Sequence, residues 1–496
     1  MTFSPKIRMP KDKTRLIIVS NRAPIADYYK GTGLTVGGLA TALHRVAIDQ
    51  NATWIFSAEG SEDKLVGYKS PDNIDYTLAP VAVSKKEYKA FYDGYSNSLI
   101  WPLFHYFPDK ASFGGDDWAS YQAVNKKFAI QILETVEDNP DATIWIQDYH
   151  LMLVAKYLRQ FGVKNRIGFF LHIPFPTYEV FRLLPQRAEI LEAMLSIDLI
   201  GFHTKSYVTN FFRSVRTIMK EAVTFETDQF VRYGDKVTYV KDFPISVDSH
   251  MIKDLISDKP FDTNNLPSIG KALGSASMIG LGVDRLDYTK GILERFRAIE
   301  LFFEKNAKYR GKMTFVQIAV PSRGSVPDYQ SYKSSVDEIV TRINGQYGTM
   351  DWQPIIYINR SIPFDVLVNY YRMADFALIT PIRDGMNLVA KEFILTCKPE
   401  ASLILSEVAG AAEEFTRASL VNPYNQEQIA NAILYSLENP GYQQAIMEDY
   451  REHLMKNDVH RWASSFIDEM KNLNSDFDEV FGSHDKSVRE SQSQLG

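Results

Sequence analysis

The chain has 496 residues, 45% of them hydrophobic and 23% charged, a length that favours two domains and a composition typical of globular rather than disordered chains. A formal net charge of -6 argues against nucleic acid as a partner but leaves room for a local basic pocket that takes a small phosphate. The single Cys397 excludes an internal disulfide and a cysteine-cluster zinc site, and no apolar run approaches the roughly 18 to 20 residues that span a bilayer.

Met1 to Lys13 is polar and basic without an apolar stretch, so no signal peptide is expected and the chain is placed in the cytoplasm, off the membrane. The first strong element is TRLIIVS (Thr14 to Ser20), a β-branched run emptying into Asn21-Arg22, which predicts a buried strand followed by a polar loop. Gly37-Gly38 follow the loop Gly31 to Val36 and precede a helix from Leu39. Helical patterns at Trp118 to Val136 and Arg187 to Ser196 then alternate with strand-like runs at Thr143 to Gln147, Arg166 to Leu171, Asp198 to Phe202 and Val237 to Phe243. Alternation of this kind predicts parallel sheets covered on both faces. After Pro244, and a polar stretch from Ser257 to Ser268, a second series begins. Its strands are expected at Ser277 to Val283, Lys312 to Ala319, Pro354 to Ile358, Phe376 to Thr380 and Ser402 to Leu405. The fold class is therefore α/β, with two Rossmann-like domains. The first is residues 1–245, joined by a C-terminal helix at about 460–480; the second is residues 246–459; a disordered tail is expected at 483–496.

Sheets of this type bind ligands beyond the carboxyl ends of their strands, so polar motifs that follow strands are the candidates. Gly38, at a helix start, would let a backbone approach a phosphate, although a Gly-Gly turn is more often only a turn. In VDRLDYTKG (Val283 to Gly291) a strand is expected to end at Val283, with Arg285 and Lys290 in the following turn. A planar guanidinium fork and a mobile ammonium suit a diphosphate; the alternative is that both simply pair with Asp284 or Asp287. In PIRDGMNLVAKE (Pro381 to Glu392) Asp384 sits in a Gly turn after a strand and could accept from sugar hydroxyls, while Glu392 could hold a ribose diol or merely pair with a lysine. IQDYHL (Ile146 to Leu151) and LHIPFP (Leu171 to Pro176) place Asp148 and His172 at strand ends, with two prolines stiffening the second. A lone histidine is more often structural than catalytic, and no spacing here is that of a metal site.

These strings, with Ser20-Asn21-Arg22, Gly37-Gly38-Leu39, SNSLIWPLFHY (Ser96 to Tyr106), HIPFPTYEVFRLLP (His172 to Pro185) and PSRG (Pro321 to Gly324), resemble in order those of the trehalose-phosphate synthase family of retaining nucleotide-sugar glycosyltransferases. The resemblance implies a GT-B fold, with the donor held mainly by the second domain and the acceptor by the first. It implies that Arg285 and Lys290 hold the donor diphosphate with Gly38 nearby, and that Glu392 binds the ribose. Asp384 and His172 would contact the transferred glucose, the run Gly385, Met386, Asn387 and Leu388 would line the donor, and Asp148 would sit beside the reacting sugars. Arg22, Tyr92, Trp101 and Arg323 would hold a sugar-phosphate acceptor; without the family pattern Trp101 reads as core. One departure is Trp54-Ile55-Phe56-Ser57-Ala58-Glu59-Gly60, where the family commonly has W-x-G-W-x-G and Ser57 takes the second tryptophan's place.

The reaction so implied is transfer of glucose from NDP-glucose, UDP-glucose foremost, to glucose 6-phosphate, with retention, no metal or other cofactor, and the leaving diphosphate accepting the acceptor's proton. Glycerol 3-phosphate or a cyclitol phosphate is the alternative acceptor, and a silent sugar-phosphate-sensing subunit is the alternative from another class. A Rossmann oxidoreductase is disfavoured because no G-x-G-x-x-G follows the first strand. A homo-oligomer is left open. No phosphatase domain is expected, so removal of the product's phosphate would fall to a separate trehalose-phosphate phosphatase.

Overall fold

The computed structural model describes residues 15–27, 32–34, 38–59, 76–115, 117–258, 273–274, 276–324 and 326–473. The tail expected at 483–496, and most of the polar stretch from Ser257 to Ser268, lie outside them. The chain divides into two compact units: one holds the residues up to Phe104, Ser112–Phe243 and the chain from Ala463 on, and the other holds His105–Ala111 and Pro244–Trp462. Among the described residues no helix is long and apolar enough to cross a membrane.

In the first unit the strands are β1 (Leu16–Ser20), β2 (Ile25–Asp27), β3 (Thr32–Leu34), β4 (Thr53–Glu59), β5 (Thr77–Val83), β6 (Thr143–Gln147), β7 (Ile167–Phe170), β8 (Leu199–Phe202), β9 (Val223–Phe225), β10 (Phe230–Tyr233) and β11 (Lys236–Asp242). Nine of them form one sheet in the order β5-β4-β1-β6-β7-β8-β11-β10-β9, and β2 and β3 form a separate antiparallel pair. Every residue of β1, β6, β7 and β8 is buried, as the continuous apolar runs LIIVS, TIWIQ, IGFF and LIGF require of strands covered on both faces. The sheet is not wholly parallel, which corrects the expectation from strand–helix alternation. β10 runs antiparallel to both neighbours, and Tyr233 pairs with Lys236 across a two-residue turn, Gly234-Asp235. From Ala463 on, the helix Val459–Asn472 belongs to this unit, with Phe466 stacked 4.8 Å from Trp145.

A twelve-residue π-helix, Lys89–Ile100, follows β5 and runs straight into the helix Trp101–Phe104. The Ser98 hydroxyl donates to the Asp93 carbonyl five residues back, matching the wide π turn with a side-chain bond. Long π segments are rare and tend to mark functional sites.

The second unit has one sheet, with β12 (Met278–Arg285), β13 (Met313–Val320), β14 (Ile355–Ile358), β15 (Phe376–Ile379), β16 (Ser402–Ser406) and β17 (Ser419–Val421) in the order β14-β13-β12-β15-β16-β17. All its pairs are parallel. The helix Ile292–Lys305 packs Phe296, Ile299, Phe302 and Phe303 onto Phe315, Phe376 and Trp352, the centre of this core. β12 runs two residues further than its apolar pattern, since Asp284 and Arg285 pair with Ala319 and Val320. Arg285 thus ends a strand instead of lying in the turn.

Candidate active site

Among strands that run parallel, successive strands leave to opposite sides between β1 and β6 in the first unit and between β12 and β15 in the second. Such switch points open a crevice at the strand ends, and the candidate residues gather at these two.

At the first switch point β6 delivers Asp148 with φ 73° and ψ 166°, a conformation nearly reserved for glycine. Its carboxylate accepts from the backbone N–H of His172 at 3.2 Å, and its own N–H donates to the Phe170 carbonyl. The His172 ring is hydrogen bonded to Gln147 Oε1 at 2.9 Å and meets His203 edge-on at 5.4 Å. Burial, helped by His203, pushes the His172 pKa well below that of a free imidazole, so the ring is neutral at physiological pH. Asp148 and His172 are thus joined, and Gln147, which orients the ring, is a residue that reading strand by strand passes over.

The loop after β1 carries Arg22, which is exposed and donates to the Tyr92 hydroxyl at 2.6 Å. Tyr92 comes from the π-helix and is sandwiched by parallel rings, with Tyr88 at 5.2 Å and His150 at 5.6 Å. Ser57, on β4, is buried and donates to the Asn21 carbonyl. Asn21 in turn donates to the Tyr88 hydroxyl. The residue standing where the family has tryptophan therefore fastens the Arg22 loop to the tyrosine stack. Trp101 is only 5% exposed and packs on Tyr149, so little of its ring is left to meet a sugar. Gly38 opens the helix Gly38–Asp49; residues 28–31 and 35–37 of the loop before it are outside the described residues.

At the second switch point Lys290 closes a short 3-10 turn, Tyr288–Lys290, after β12 and donates to Asp384 Oδ2 at 2.6 Å. Neither lysine nor carboxylate follows the simple pairing open to the sequence. Asp284 is engaged by the wholly buried Arg295, and Asp287 by Arg323 and the Tyr329 hydroxyl. Arg323 thus belongs to the second unit, packed at a backbone φ of 47°, whereas the acceptor set was expected on the first domain. Burial tends to raise Asp384 and Asp287, but for each the neighbouring cations and hydrogen bonds win and hold the pKa below the usual carboxylate value. For Asp384 those are Lys290, the Asn387 amide and His105; for Asp287, Arg323, Arg285, Thr289 N–H and Lys290.

The Asp384 turn leads into the helix Leu388–Thr396, which Asn387 caps by accepting from Ala390 N–H while donating to Asp384. The turn is fastened by Gly410 N–H and Ala411 N–H, which donate to the carbonyls of Asp384 and Met386. A Cβ on Gly410 would lie 2.0 Å from the Gly385 carbonyl oxygen, and only glycine fits there. At the helix start the backbone dipole favours an anion. One turn further, Glu392 accepts from the Tyr371 hydroxyl at 2.7 Å. Burial raises its pKa to about 7, against the pull of that hydrogen bond, and among the described residues it pairs with no lysine. The lysine beside it, Lys391, is buried against Glu414 instead. Arg295 is the other residue missed: it binds Asp284, Gln317, Thr380 and the Lys290 carbonyl, pinning three strand ends and the Lys290 turn together. Its signal was there, since it is the one charge among Ile292, Phe296 and Ile299 on the helix's apolar stripe. Among the described residues no group of three His, Cys, Asp or Glu side chains is placed to hold a metal ion.

Within the second unit, the Lys290–Asp384 pair beside the start of the helix Leu388–Thr396 suits an anionic ligand, and within the first, Asp148 and the neutral His172 stand together at strand ends. The family model described as Glycosyltransferase family 20 matches residues 14–472. The chain is 38% identical over 482 residues to the UDP-forming alpha,alpha-trehalose-phosphate synthase of Candida albicans, covering 93% of this chain and 98% of that one. Among solved structures it is similar, with a TM-score of 0.84 and 33% identity over 93% of this chain and 99% of the other, to one from E. coli described as bound with UDP-2-fluoro glucose. A UDP-forming alpha,alpha-trehalose-phosphate synthase from Burkholderia xenovorans in complex with glucose-6-phosphate matches with a TM-score of 0.80 at 33% identity, over 92% of this chain and 100% of that one. The fold is GT-B, and the chain belongs to glycosyltransferase family 20.

Proposed function

We propose that this chain transfers glucose from UDP-glucose to glucose 6-phosphate, forming alpha,alpha-trehalose 6-phosphate and UDP with retention at the donor anomeric carbon. The observation that carries it is the Lys290–Asp384 pair, set at the switch point of the second sheet beside a helix N-terminus and a half-buried acid suited to a ribose, Glu392. Relatives so named along nearly the whole chain support the same reading.

The bond from the glucose anomeric carbon to the diphosphate oxygen breaks, and the acceptor's anomeric oxygen bonds to that carbon on the same face. The acceptor's proton passes to the departing phosphate oxygen, so no strong protein base is called for. Lys290 and Arg285 meet the charge growing on the diphosphate, the helix at Leu388 adds its dipole, and Gly38 lies on the nucleotide-sugar side. Lys290 can leave Asp384 for phosphate once glucose hydroxyls take over the carboxylate. Neutral His172 contacts the transferred sugar, and Asp148 stands at the reacting carbon. Arg22 with Tyr92 is matched to the acceptor phosphate, Arg323 is a second cation of the same assignment, and Trp101 supports this side from the core, where it packs on Tyr149. The nucleotide sugar is a substrate and no metal enters the scheme. The product keeps its phosphate ester, and we place its hydrolysis on another protein.

The test is a matrix of NDP-glucose donors against phosphorylated and free acceptors, with product identified by mass and by anomeric coupling. UDP-glucose with glucose 6-phosphate should give the non-reducing disaccharide phosphate. Product with glycerol 3-phosphate or a cyclitol phosphate instead would move the acceptor assignment to the rival class, and equal use of free glucose would remove Arg22 and Arg323 from it.

A further inference from the structure

Residues His105–Ala111 follow directly on the helix that begins with Trp101, yet they belong to the second unit. The segment lies across both halves of the Lys290–Asp384 site. Tyr106 places its ring 4.1 Å from the Arg383 guanidinium carbon, immediately before Asp384 in sequence. Phe107 meets the Tyr288 ring edge-on at 5.1 Å, and Lys110 holds its ammonium over the same ring at 5.3 Å. Tyr288 opens the turn that Lys290 closes. The two turns are already tied by Lys290–Asp384 and by donation from Ile382 N–H to the Thr289 carbonyl at 2.8 Å. His105 is 2% exposed and adds a positive influence on Asp384.

Two further facts set Tyr106 apart. Its φ is 67°, a left-handed value that a bulky side chain adopts only at a cost. Arg383 Nε is buried without a hydrogen-bond partner, so the ring face is what holds that guanidinium. A strained aromatic packed on a half-buried guanidinium next in sequence to Asp384 is more than filler for a surface loop.

We propose that Tyr106 is a positioning residue for donor-site chemistry: through Arg383 it fixes Asp384 against Lys290. The inference rests on the function proposed above. Small misplacements of reacting groups cost far more in turnover than in binding, so the loss should appear in kcat.

The experiment compares wild type, Tyr106→Leu, Tyr106→Phe and Phe107→Leu in full-length chain. It reads UDP release, KM for each substrate, UDP affinity by calorimetry and thermal unfolding. Tyr106→Leu should lower kcat about ten- to a hundred-fold while donor KM and UDP affinity stay within about threefold, and Tyr106→Phe, which keeps the ring face, should restore most of the turnover. Phe107→Leu, which loosens the Tyr288 side alone, should lower kcat in the same sense and decides the matter if Tyr106→Leu does not fold. Unchanged kcat in these variants, or a fall matched by loss of UDP-binding sites and melting temperature, overturns the positioning role. A wild-type chain that releases no UDP overturns the function itself and this role with it.

Discussion

Lys290 and Asp384 form a nearly buried pair, and in the proposed reaction each has a substrate group to meet. Lys290→Ala should cut turnover about a hundred- to a thousand-fold, roughly 3 to 4 kcal/mol by analogy with a lost oxyanion donor, while the chain still melts cooperatively. Turnover near normal in a UDP-release assay would remove the lysine from the diphosphate. Glu392 offers a pH test. With a pKa near 7 it loses its acceptor character as pH falls through about 7, so donor KM should rise there, and Glu392→Gln should flatten that profile with a KM high throughout. The sign for stability is opposite: a raised carboxylate pKa contributes stability that is full at acid pH and lost as pH rises through about 7. The residues that the sequence made legible were those with a strand behind them and a turn ahead. It could not say that Lys290 would choose Asp384 over the nearer acids, because that choice was made by Arg295 and Arg323 occupying Asp284 and Asp287.

At the scale of elements, the Tyr288–Lys290 turn and the helix Ile292–Lys305 act as one piece. Gly291 joins them at φ 65°, and a Cβ there would lie 2.6 Å from the Thr380 carbonyl oxygen. Gly291→Ala should therefore destabilise by more than the roughly 1 kcal/mol of an ordinary left-handed substitution, read as a lower denaturation midpoint. Arg295→Leu should cost more, about 3 to 5 kcal/mol, because it takes away the buried cation that Asp284 is paired with. Chemical denaturation measures both, and an Arg295→Leu chain as stable as wild type would show that this pair contributes nothing to the fold. Strands with unbroken apolar runs could be read directly. The antiparallel edge β9–β11 was harder: its residues are half-exposed and mixed, and Gly234-Asp235 was the one short-range mark of a hairpin.

For the whole molecule, a ligand that binds only the folded chain stabilises it by mass action, so UDP at about a hundred times its Kd should add about 2.7 kcal/mol. Thermal unfolding with and without UDP checks this, and the shift should shrink in Lys290→Ala. The α/β class followed from alternation along the chain, since that pattern is written in sequence order. The excursion of His105–Ala111 into the second unit was not, because HYFPDKA marks a helix end with its proline but carries nothing that assigns it to a unit; membership there is decided by aromatic and cation contacts with residues far along the chain.

Asp148 carries a consequence for anyone improving this protein. Its backbone occupies a region that costs about 1 to 3 kcal/mol for a residue with a Cβ, offset only in part by the carboxylate's bond to His172 N–H. A laboratory screen that rewards heat resistance alone should be drawn to Asp148→Gly, and if Asp148 serves as proposed above, it would harvest sturdier chains that have given up the reaction.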